Sequence, residues 1–201
     1  MKILAISCSP RKNGNTVAML EEVLRGARDK NAETELYSVS GKNLQPCEGC
    51  WASTESGECH IKDDMPALYD KMLEADGIVF GTPVYFYGMT AQAKTIIDRS
   101  MMLSLPGRNL INKIAGLVVC CGSLGLVDVL KDFSYYFIQK KMIPANQVSA
   151  YIMSPEDLRT MEQCMKALYT LGEQMVALVN IGFKYPEEYT VRGVAYGTHT
   201  R

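Results

Sequence analysis

The residues best suited to chemistry in this sequence of 201 amino acids form a polar loop near its start. The loop, residues 7–16, reads Ser-Cys-Ser-Pro-Arg-Lys-Asn-Gly-Asn-Thr and follows the apolar run of residues 3–6. A buried strand, a glycine-containing loop and a helix together make a phosphate cradle, because loop N–H groups and the helix N-terminus converge on one spot. The candidate phosphate ligands are Ser9, Arg11, Asn13, Asn15 and Thr16.

The same loop also fits a plain helix start, with Asn15 or Thr16 as the N-cap. Ten polar and small residues with an arginine among them exceed what capping needs, so the phosphate interpretation is favoured. The patterns GxGxxG and GxxxxGK(S/T) are both absent from the sequence. Their absence excludes the common dinucleotide fingerprint and the Walker loop.

A second group of reactive residues lies in a long segment without periodicity, residues 40–62, which we call the cysteine loop. It holds Cys47, Cys50 and Cys59, three of the seven cysteines of the chain. Loops of this length inside a compact domain are usually functional or mobile. In a chain without a secretory leader such cysteines are expected to be reduced, metal-bound or redox-active. Of the other four cysteines, Cys8, Cys120 and Cys164 are interpreted as small buried residues. Cys121 is expected to lie near the bound ligand.

The hydrophobic pattern predicts strands that alternate with helices. Strands are expected at residues 3–6, 33–39, 77–81, 114–121 and 147–152. Helices are expected at about residues 16–28, 65–75, 90–103, 127–141 and 155–181, and Asp63 and Asp64 are expected in the first turn of the second helix. The alternation predicts an α/β fold, a doubly wound five-stranded parallel sheet with helices on both faces.

Ligands of such sheets bind outside the carboxyl ends of the strands. Three loops lie at that edge here: residues 9–16, 83–88 and 121–125. The second offers aromatic side chains beside Pro83 and Val84, and the third offers Gly122 and Ser123, which let a ring approach the backbone closely. A phosphate joined to a planar ring fits all three loops, and FMN is the candidate. Ordinary edge packing is an equally good explanation for any single one of the aromatic residues Tyr85, Phe86 and Tyr87.

Length and composition set the remaining limits. The chain has 47% hydrophobic residues, enough for one α/β domain, and a net charge of −1 gives no indication of nucleic acid or membrane partners. No apolar run reaches the length of a membrane span, and no signal peptide is recognised, so a cytoplasmic location is expected. The predicted organisation is one flavodoxin-like domain, residues 1–182, followed by an arm, residues 183–201.

The combination of motifs resembles the flavodoxin-like NAD(P)H-dependent FMN reductases, and among them the iron-sulfur flavoproteins. The resemblance is carried by residues 7–16, by GTPVYFYG at 81–88, by KTIIDR at 94–99 and by the cysteine loop with the Asp-Asp-Met that follows it. It implies FMN as cofactor, NAD(P)H as electron donor and assembly into dimers or tetramers. By position it implies phosphate binding by Ser9, Arg11, Asn15 and Thr16, and a ring against Pro83, Val84, Tyr85 and Phe86 with Gly122 and Ser123 beside it.

The cysteine loop departs from the iron-sulfur members of that family. They carry four cysteines in this loop, and the remaining position, around Ser53, is not cysteine here. Because a 4Fe–4S cluster normally needs four thiolates, we predict no stable cluster. Cys47, Cys50 and Cys59 are cluster ligands only if His60, Ser53 or an external group completes the set.

Two other roles for the cysteine loop stay open. Cys47 and Cys50 form a C-x-x-C pair that can act as a redox dithiol. Alternatively the loop shapes the flavin pocket, with Pro46 and Trp51 as packing anchors. The shaping role ranks ahead of the dithiol, because this C-x-x-C does not stand at a helix start, where the helix would depress the thiol pKa.

The sequence supports three functions. The first is an FMN-dependent oxidoreductase that takes hydride from NAD(P)H and reduces a quinone, a nitro or azo compound, a metal ion or a protein, with no catalytic acid–base pair required. The second is a flavin electron carrier with ferredoxin-like partners, against which the small net charge argues mildly. The third is a metal or redox sensor. A homodimer or homotetramer is expected from the helix containing Phe133, Tyr135, Tyr136 and Phe137, which has apolar groups on more than one side.

Overall fold

The computed structural model describes residues 1–52, 56–105 and 107–190. Its strands in chain order are β1 (Lys2–Ser7), β2 (Glu33–Ser38), β3 (Gly77–Tyr85), β4 (Gly88–Met89), β5 (Ser104–Leu105), β6 (Arg108–Asn109), β7 (Ile114–Cys121) and β8 (Ile143–Tyr151). Its helices are α1 (Asn15–Asp29), α2 (Met65–Glu74), α3 (Ala91–Arg99), α4 (Leu126–Gln139), α5 (Pro155–Thr160) and α6 (Glu162–Ile181).

Five strands form a parallel sheet in the order β2-β1-β3-β7-β8, and β4 pairs antiparallel with the end of β3. The register pairs Ser7, the last residue of β1, with Gly81, and Gly81 with Val118. β3 and β7 therefore run a few residues past the end of β1 at the same edge of the sheet. This sheet with helices on both faces confirms the predicted α/β class. We call the side where these strands end the carboxyl edge.

Two apolar layers cover the sheet. On one face α1, α5 and α6 pack against the strands, and on the other face α2, α3 and α4 do so. β7 is buried along its whole length, which is why its sequence is a continuous apolar run. Burial on both faces is therefore what makes the central strands recognisable in the sequence.

The aromatic residues of α4 mainly serve this core. Phe80 of β3 lies with its ring centroid 5.4 Å from that of Phe133, 5.7 Å from Tyr136 and 5.9 Å from Phe137. Tyr135 points away from this cluster and is 65% exposed. The apolar groups of α4 thus lie on two sides, as expected, but three of the four aromatic rings are buried within the subunit.

The structure corrects several predicted boundaries. The predicted loop at 82–88 is partly strand, because β3 continues to Tyr85 and turns back through β4. The third helix ends at Arg99 and is followed by a 3-10 turn over Ser100–Leu103. The predicted helix over 155–181 is broken at Met161, whose backbone (φ −91°, ψ 72°) is not helical. The last parallel strand begins at Ile143 instead of residue 147, and the short β5–β6 hairpin had no counterpart in the prediction.

The first part of the predicted arm, residues 183–190, lies near the loop that precedes β7. The Tyr185 N–H donates to Oδ1 of Asn112 at 2.8 Å, and the Phe183 and Tyr185 rings are in edge contact. The rest of the arm, residues 191–201, lies outside the described residues. Among the helices that the structure describes, none is long and apolar enough to cross a membrane.

Candidate functional site

The N-terminus of α1 is open at the carboxyl edge. Its N-cap is Gly14 in an extended conformation, no side chain caps the helix, and its first turn has no acidic residue. Arg11 is exposed beside it, and the Arg11 N–H donates to Oγ of the buried Ser9 at 3.2 Å, which folds the loop back on itself. The partial positive charge of the helix end and the Arg11 charge are thus both available to an anion.

The side chains of Asn15 and Thr16 have internal partners. Nδ2 of Asn15 donates to the Ile152 carbonyl at 3.2 Å, and Oγ1 of Thr16 lies 3.3 Å from Sγ of Cys120. These contacts tie the loop to the strands β7 and β8. Oδ1 of Asn15 is buried and has no hydrogen-bond partner among the residues that the structure describes, so it remains available to a hydroxyl donor of a ligand. The fifth candidate of this loop, Asn13, is exposed.

The end of β3 forms a hairpin with aromatic residues at its turn. Phe86 and Tyr87, between the paired residues Tyr85 and Gly88, have φ values of 45° and 65°. Two successive residues at positive φ are the mark of a type I′ turn, which glycine and asparagine fill more easily than aromatic residues. Phe86 is 100% exposed and Tyr85 is 41% exposed. The turn therefore holds aromatic rings in solvent at a backbone cost of about 1–2 kcal/mol per residue.

The loop after β7 packs directly against this hairpin. Gly125 has a φ of 97°, and a Cβ there would lie 2.6 Å from Cα of Tyr87, so only glycine allows this approach. Cys121 folds the loop: its Sγ donates to the Leu124 carbonyl at 2.9 Å and accepts the Ser123 N–H at 3.3 Å. Gly122 and Ser123 are exposed. The hairpin and this loop are thus one continuous surface.

Two buried threonines join the hairpin to the loop after β1. Oγ1 of Thr90 donates to the Cys8 carbonyl at 2.8 Å, accepts the Ala93 N–H at 3.1 Å and lies 3.4 Å from Oγ1 of Thr82. Both threonines have no solvent exposure. Thr90 therefore caps α3 and fixes two of the three predicted loops to each other. Neither threonine is among the candidate site residues of the sequence; the capping preference of threonine is the local signal that points to Thr90.

The residues at the carboxyl edge fit the group that the sequence suggests. One end offers an uncapped helix N-terminus with a neighbouring arginine, as a phosphate needs. The other end offers the half-buried Pro83 and Val84 beside the exposed Tyr85 and Phe86, as a planar ring needs. The unpartnered Asn15 oxygen supplies an acceptor for a polar chain between them. These are the parts of FMN.

A buried ion pair holds the cysteine loop, which follows the carboxyl end of β2. Nη1 of Arg99 lies 2.8 Å from Oδ2 of Asp63 and Nη2 lies 3.2 Å from Oδ1, and the two side chains are 1% and 0% exposed. Burial raises the pKa of Asp63, but the bonds from Arg99 and from backbone N–H groups outweigh burial and hold the pKa below its usual range. The predicted helix start is confirmed, but the two acids precede the first turn of α2: Asp64 is its N-cap, and Oδ1 of Asp63 accepts the Met65 N–H at 3.1 Å.

Further hydrogen bonds hold the two ends of the cysteine loop together. The Gln45 N–H donates to Oδ2 of Asp63 at 2.9 Å, and the Gln45 carbonyl accepts Nη1 of Arg99 at 2.8 Å. The Asn43 N–H donates to Oδ2 of Asp64 at 2.8 Å, and the Asn43 carbonyl accepts the Asp64 N–H at 3.0 Å. The first and last residues of the loop are therefore held next to each other. No local sequence signal reveals this pairing of residues 43–45 with 63–64.

The three cysteines of the loop line one cavity of about 150 Å³. Cys47 and Cys50 are exposed and Cys59 is half-buried. Within residues 1–52, 56–105 and 107–190 no three or more His, Cys, Asp or Glu side chains are arranged to hold a metal ion. Ser53 lies outside the described residues, so the absence of a stable cluster remains a prediction.

The two residues predicted as packing anchors of the loop lie near its surface. Trp51 is 68% exposed and lines the cavity of the cysteine loop, and Pro46 is exposed. Leu44 and Cys59 pack against the core instead. Of the other cysteines, Cys8, Cys120 and Cys121 are buried and Cys164 is half-buried.

Comparison with known proteins adds to this geometry. The family model described as NADPH-dependent FMN reductase matches residues 1–154. An iron-sulfur flavoprotein of Methanocaldococcus jannaschii is 35% identical over 191 residues, which cover 90% of this chain and 98% of that protein.

Solved structures of similar fold include two flavin-related proteins. RosB with bound 8-demethyl-8-formylriboflavin-5′-phosphate has a TM-score of 0.72 at 17% identity, over 90% of this chain and 79% of that chain. A flavodoxin from Archaea has a TM-score of 0.60 at 17% identity, over 90% of this chain and 99% of that chain. At these identities the two structures show the fold alone, and that fold is flavodoxin-like.

The buried ion pair makes a testable prediction about stability. Asp63→Asn leaves the Arg99 guanidinium buried without its counter-charge, and we expect a loss of about 3–5 kcal/mol in the free energy of unfolding. Urea denaturation followed by circular dichroism measures it. Asp98→Asn is the matched control, because Asp98 pairs with Lys94 on the helix surface, and an exposed pair contributes about 0.5 kcal/mol.

The sign of the pH dependence provides a second check on the same variant. Because the folded pKa of Asp63 is depressed, its stabilising contribution is present above the unfolded pKa and is lost as the pH falls through the folded value. Below about pH 4 the difference in the free energy of unfolding between wild type and Asp63→Asn should therefore become smaller. A difference that stays constant as the pH falls contradicts a charged pair at this position.

Proposed function

The chain belongs to the NADPH-dependent FMN reductase family, and on that premise we propose that it is an FMN-dependent oxidoreductase. It takes hydride from NAD(P)H and reduces a quinone, a nitro or azo compound, a metal ion or a redox protein. The observation that carries the proposal is the carboxyl edge, where an uncapped helix N-terminus and exposed aromatic rings lie on one connected set of loops. Bound FMN supplies the electron-transfer chemistry, and the protein supplies position and electrostatics.

The phosphate end of the proposed site consists of backbone and one full charge. The N–H groups of the first turn of α1, which includes Asn15 and Thr16, have no side-chain cap and face the anion. Arg11 adds a charge-assisted bond, and Ser9 holds the loop in shape through its bond to the Arg11 N–H. The Asn15 and Thr16 side chains already bind within the chain, so their proposed contribution comes from the backbone and from Oδ1 of Asn15.

The ring end of the proposed site lies between the hairpin and the loop after β7. Pro83, Val84, Tyr85 and Phe86 offer one side, and Gly122 and Ser123 offer polar backbone with little side-chain bulk. Within the single chain Phe86 is fully exposed, so a nicotinamide, an electron acceptor or a second copy of the chain can reach this end.

Steady-state turnover tests the proposed reaction. The FMN-loaded protein should oxidise NADH or NADPH in the presence of a quinone such as menadione, because one flavin serves both half-reactions. The measurement is nicotinamide absorbance against time with each donor. Tight FMN binding without oxidation of either donor would refute the reductase proposal and leave a flavin electron carrier, which exchanges electrons with ferredoxin-like partners.

Substitution of the loop arginine tests the cofactor site. Arg11→Ala should weaken FMN binding by about one to two orders of magnitude, because a charge-assisted bond to phosphate contributes roughly 1.5–3 kcal/mol. Fluorescence titration of the apoprotein with FMN and with FAD gives the affinities, and FAD should bind more weakly. The matched control is Lys12→Ala, which removes the neighbouring exposed charge and should change affinity less than about threefold. An equal loss of FMN affinity in Arg11→Ala and Lys12→Ala would contradict a specific role of Arg11.

We also propose that a second copy of this chain covers the hairpin. Several large apolar side chains lie on or beside it with more than half of their surface exposed: Phe86, Tyr87, Leu124, Val127 and Met153. The Tyr87 backbone contact with Gly125 makes the hairpin and the Leu124 loop one surface, and a two-fold interface is the commonest way to cover such a patch.

Light scattering of the FMN-loaded protein at micromolar concentration tests this assembly. We expect a mass of at least twice that of the 22.3 kDa chain. Phe86→Ser should shift the equilibrium toward the single chain, because it removes the most exposed apolar side chain of the patch. Tyr135→Ser is the control, since that exposed ring lies on α4 outside the patch. A wild-type mass of one chain would refute the proposal.

A further inference from the structure

Three side chains of the cysteine loop form a chain of contacts that FMN binding does not use. Sγ of Cys50 lies 3.5 Å from Nδ1 of His60. Nε2 of His60 lies 3.0 Å from Oε2 of Glu48. A thiol, an imidazole and a carboxylate in this order are a nucleophile, its base and the group that orients the base.

With Glu48 ionised and His60 neutral, the two contacts assign the hydrogens. A carboxylate only accepts, so Nε2 of His60 carries the hydrogen that it donates to Glu48. In the neutral imidazole Nδ1 then has no hydrogen and accepts the hydrogen of the Cys50 thiol. A proton that leaves Cys50 therefore has a fixed acceptor, and Glu48 holds that acceptor in orientation.

A cavity of about 150 Å³ lies beside the exposed Cys50, and the three cysteines of the loop share it. Apolar side chains line much of the rest: Trp51, Ile61, Met101 and Met102. The charged residues of its wall already have partners: Arg99 is paired with Asp63, Asp98 with Lys94, and Glu48 is in contact with His60. Such a space suits a small uncharged group.

We propose that Cys50 is the attacking thiol of a site that reduces small apolar disulfides. Sγ of Cys50 attacks one sulfur of the substrate disulfide while Nδ1 of His60 takes the thiol proton. The substrate S–S bond breaks, and the departing sulfur receives that proton from His60 and leaves as a thiol. Cys50 is then joined to the other half of the substrate as a mixed disulfide.

Cys47 completes the reaction. Its sulfur attacks Sγ of Cys50, the mixed disulfide breaks, and the second half of the substrate leaves as a thiol with the Cys47 proton. Two protein thiols are thereby oxidised to one disulfide, and one substrate disulfide is reduced to two thiols. This single turnover needs neither FMN nor NAD(P)H, so it stands apart from the proposed flavin function.

The surroundings select Cys47 over Cys59 as the second thiol. Cys47 is exposed and is separated from Cys50 by only two residues, of which Gly49 has a φ of 66°. Cys59 is half-buried and packs against the core. Bringing Cys59 to Cys50 would cost that packing, whereas the exposed Cys47 has no such packing to lose.

A single-turnover reaction with dithiodipyridine tests the proposal. The full-length, FMN-loaded protein is reduced, desalted without oxygen and mixed with the disulfide in the absence of NAD(P)H. Released thiopyridone is followed by stopped-flow absorbance. We expect a fast phase that releases two equivalents of thiopyridone per subunit, at a rate higher than that of N-acetylcysteine. Peptide mass mapping should then show a Cys47–Cys50 disulfide.

Variants separate the roles. Cys50→Ser should abolish the fast phase, and Cys47→Ser should reduce it to one equivalent and leave a mass adduct on Cys50. Cys59→Ser is the matched control and should keep both equivalents. His60→Gln should slow the fast phase about 10- to 100-fold, because it removes the proton acceptor. Glu48→Gln should slow it less, and Glu48→Asp should restore part of the rate, which a merely structural role of Glu48 does not predict.

Three outcomes overturn the proposal. One is a wild-type rate equal to that of N-acetylcysteine and unchanged by His60→Gln. Another is a disulfide between Cys50 and Cys59, with Cys47→Ser behaving as wild type. The last is iron and acid-labile sulfide in the anaerobically purified protein together with unreactive Cys47 and Cys50, which would make these thiols cluster ligands.

Discussion

The parallel pairing of β1, β3 and β7 is the constraint on which the rest of this structure depends. Ser7 pairs with Gly81 and Gly81 with Val118, so three chain reversals must occur side by side at one edge. Each reversal leaves backbone groups without sheet partners, and these must find other bonds. One such group, the Cys8 carbonyl, accepts a hydrogen bond from the Thr90 hydroxyl. The N–H groups at the open N-terminus of α1 remain available to a ligand.

How much the sequence predicts depends on how local the cause is. β7 was predicted with its observed bounds, because burial on both faces produces an unbroken apolar run that ends where the burial ends. The break at Met161 was not predicted, because both helices keep their apolar spacing across it and Ser154 caps only the first. The hairpin after Tyr85 was also missed, since an aromatic pair is an unusual filling for a turn with positive φ.

The candidate site shows the same difference between local and long-range causes. The loop after β1 was predicted from its composition, yet the directions of the Asn15 and Thr16 side chains depend on Ile152 and Cys120, which lie more than 100 residues away. Asp63 does lie at a helix start, where it accepts the Met65 N–H, but its charge partner, Arg99, stands 36 residues later and has no local signal in the sequence. Sequence patterns show which elements form; long-range bonds decide which side chains remain free for a ligand.

Two unfavourable features meet at the turn of the hairpin, and their coincidence bears on its purpose. Phe86 and Tyr87 hold left-handed backbone, and the Phe86 ring is fully exposed. A turn selected only for stability would place glycine or asparagine there and no large ring. The Gly125 contact with the Tyr87 backbone holds the turn in this conformation from the neighbouring loop. Strain that a second loop maintains, with apolar surface presented to solvent, is typical of a binding surface. The hairpin is therefore shaped for what it binds, and the loop after β7 is the element that keeps it in that shape.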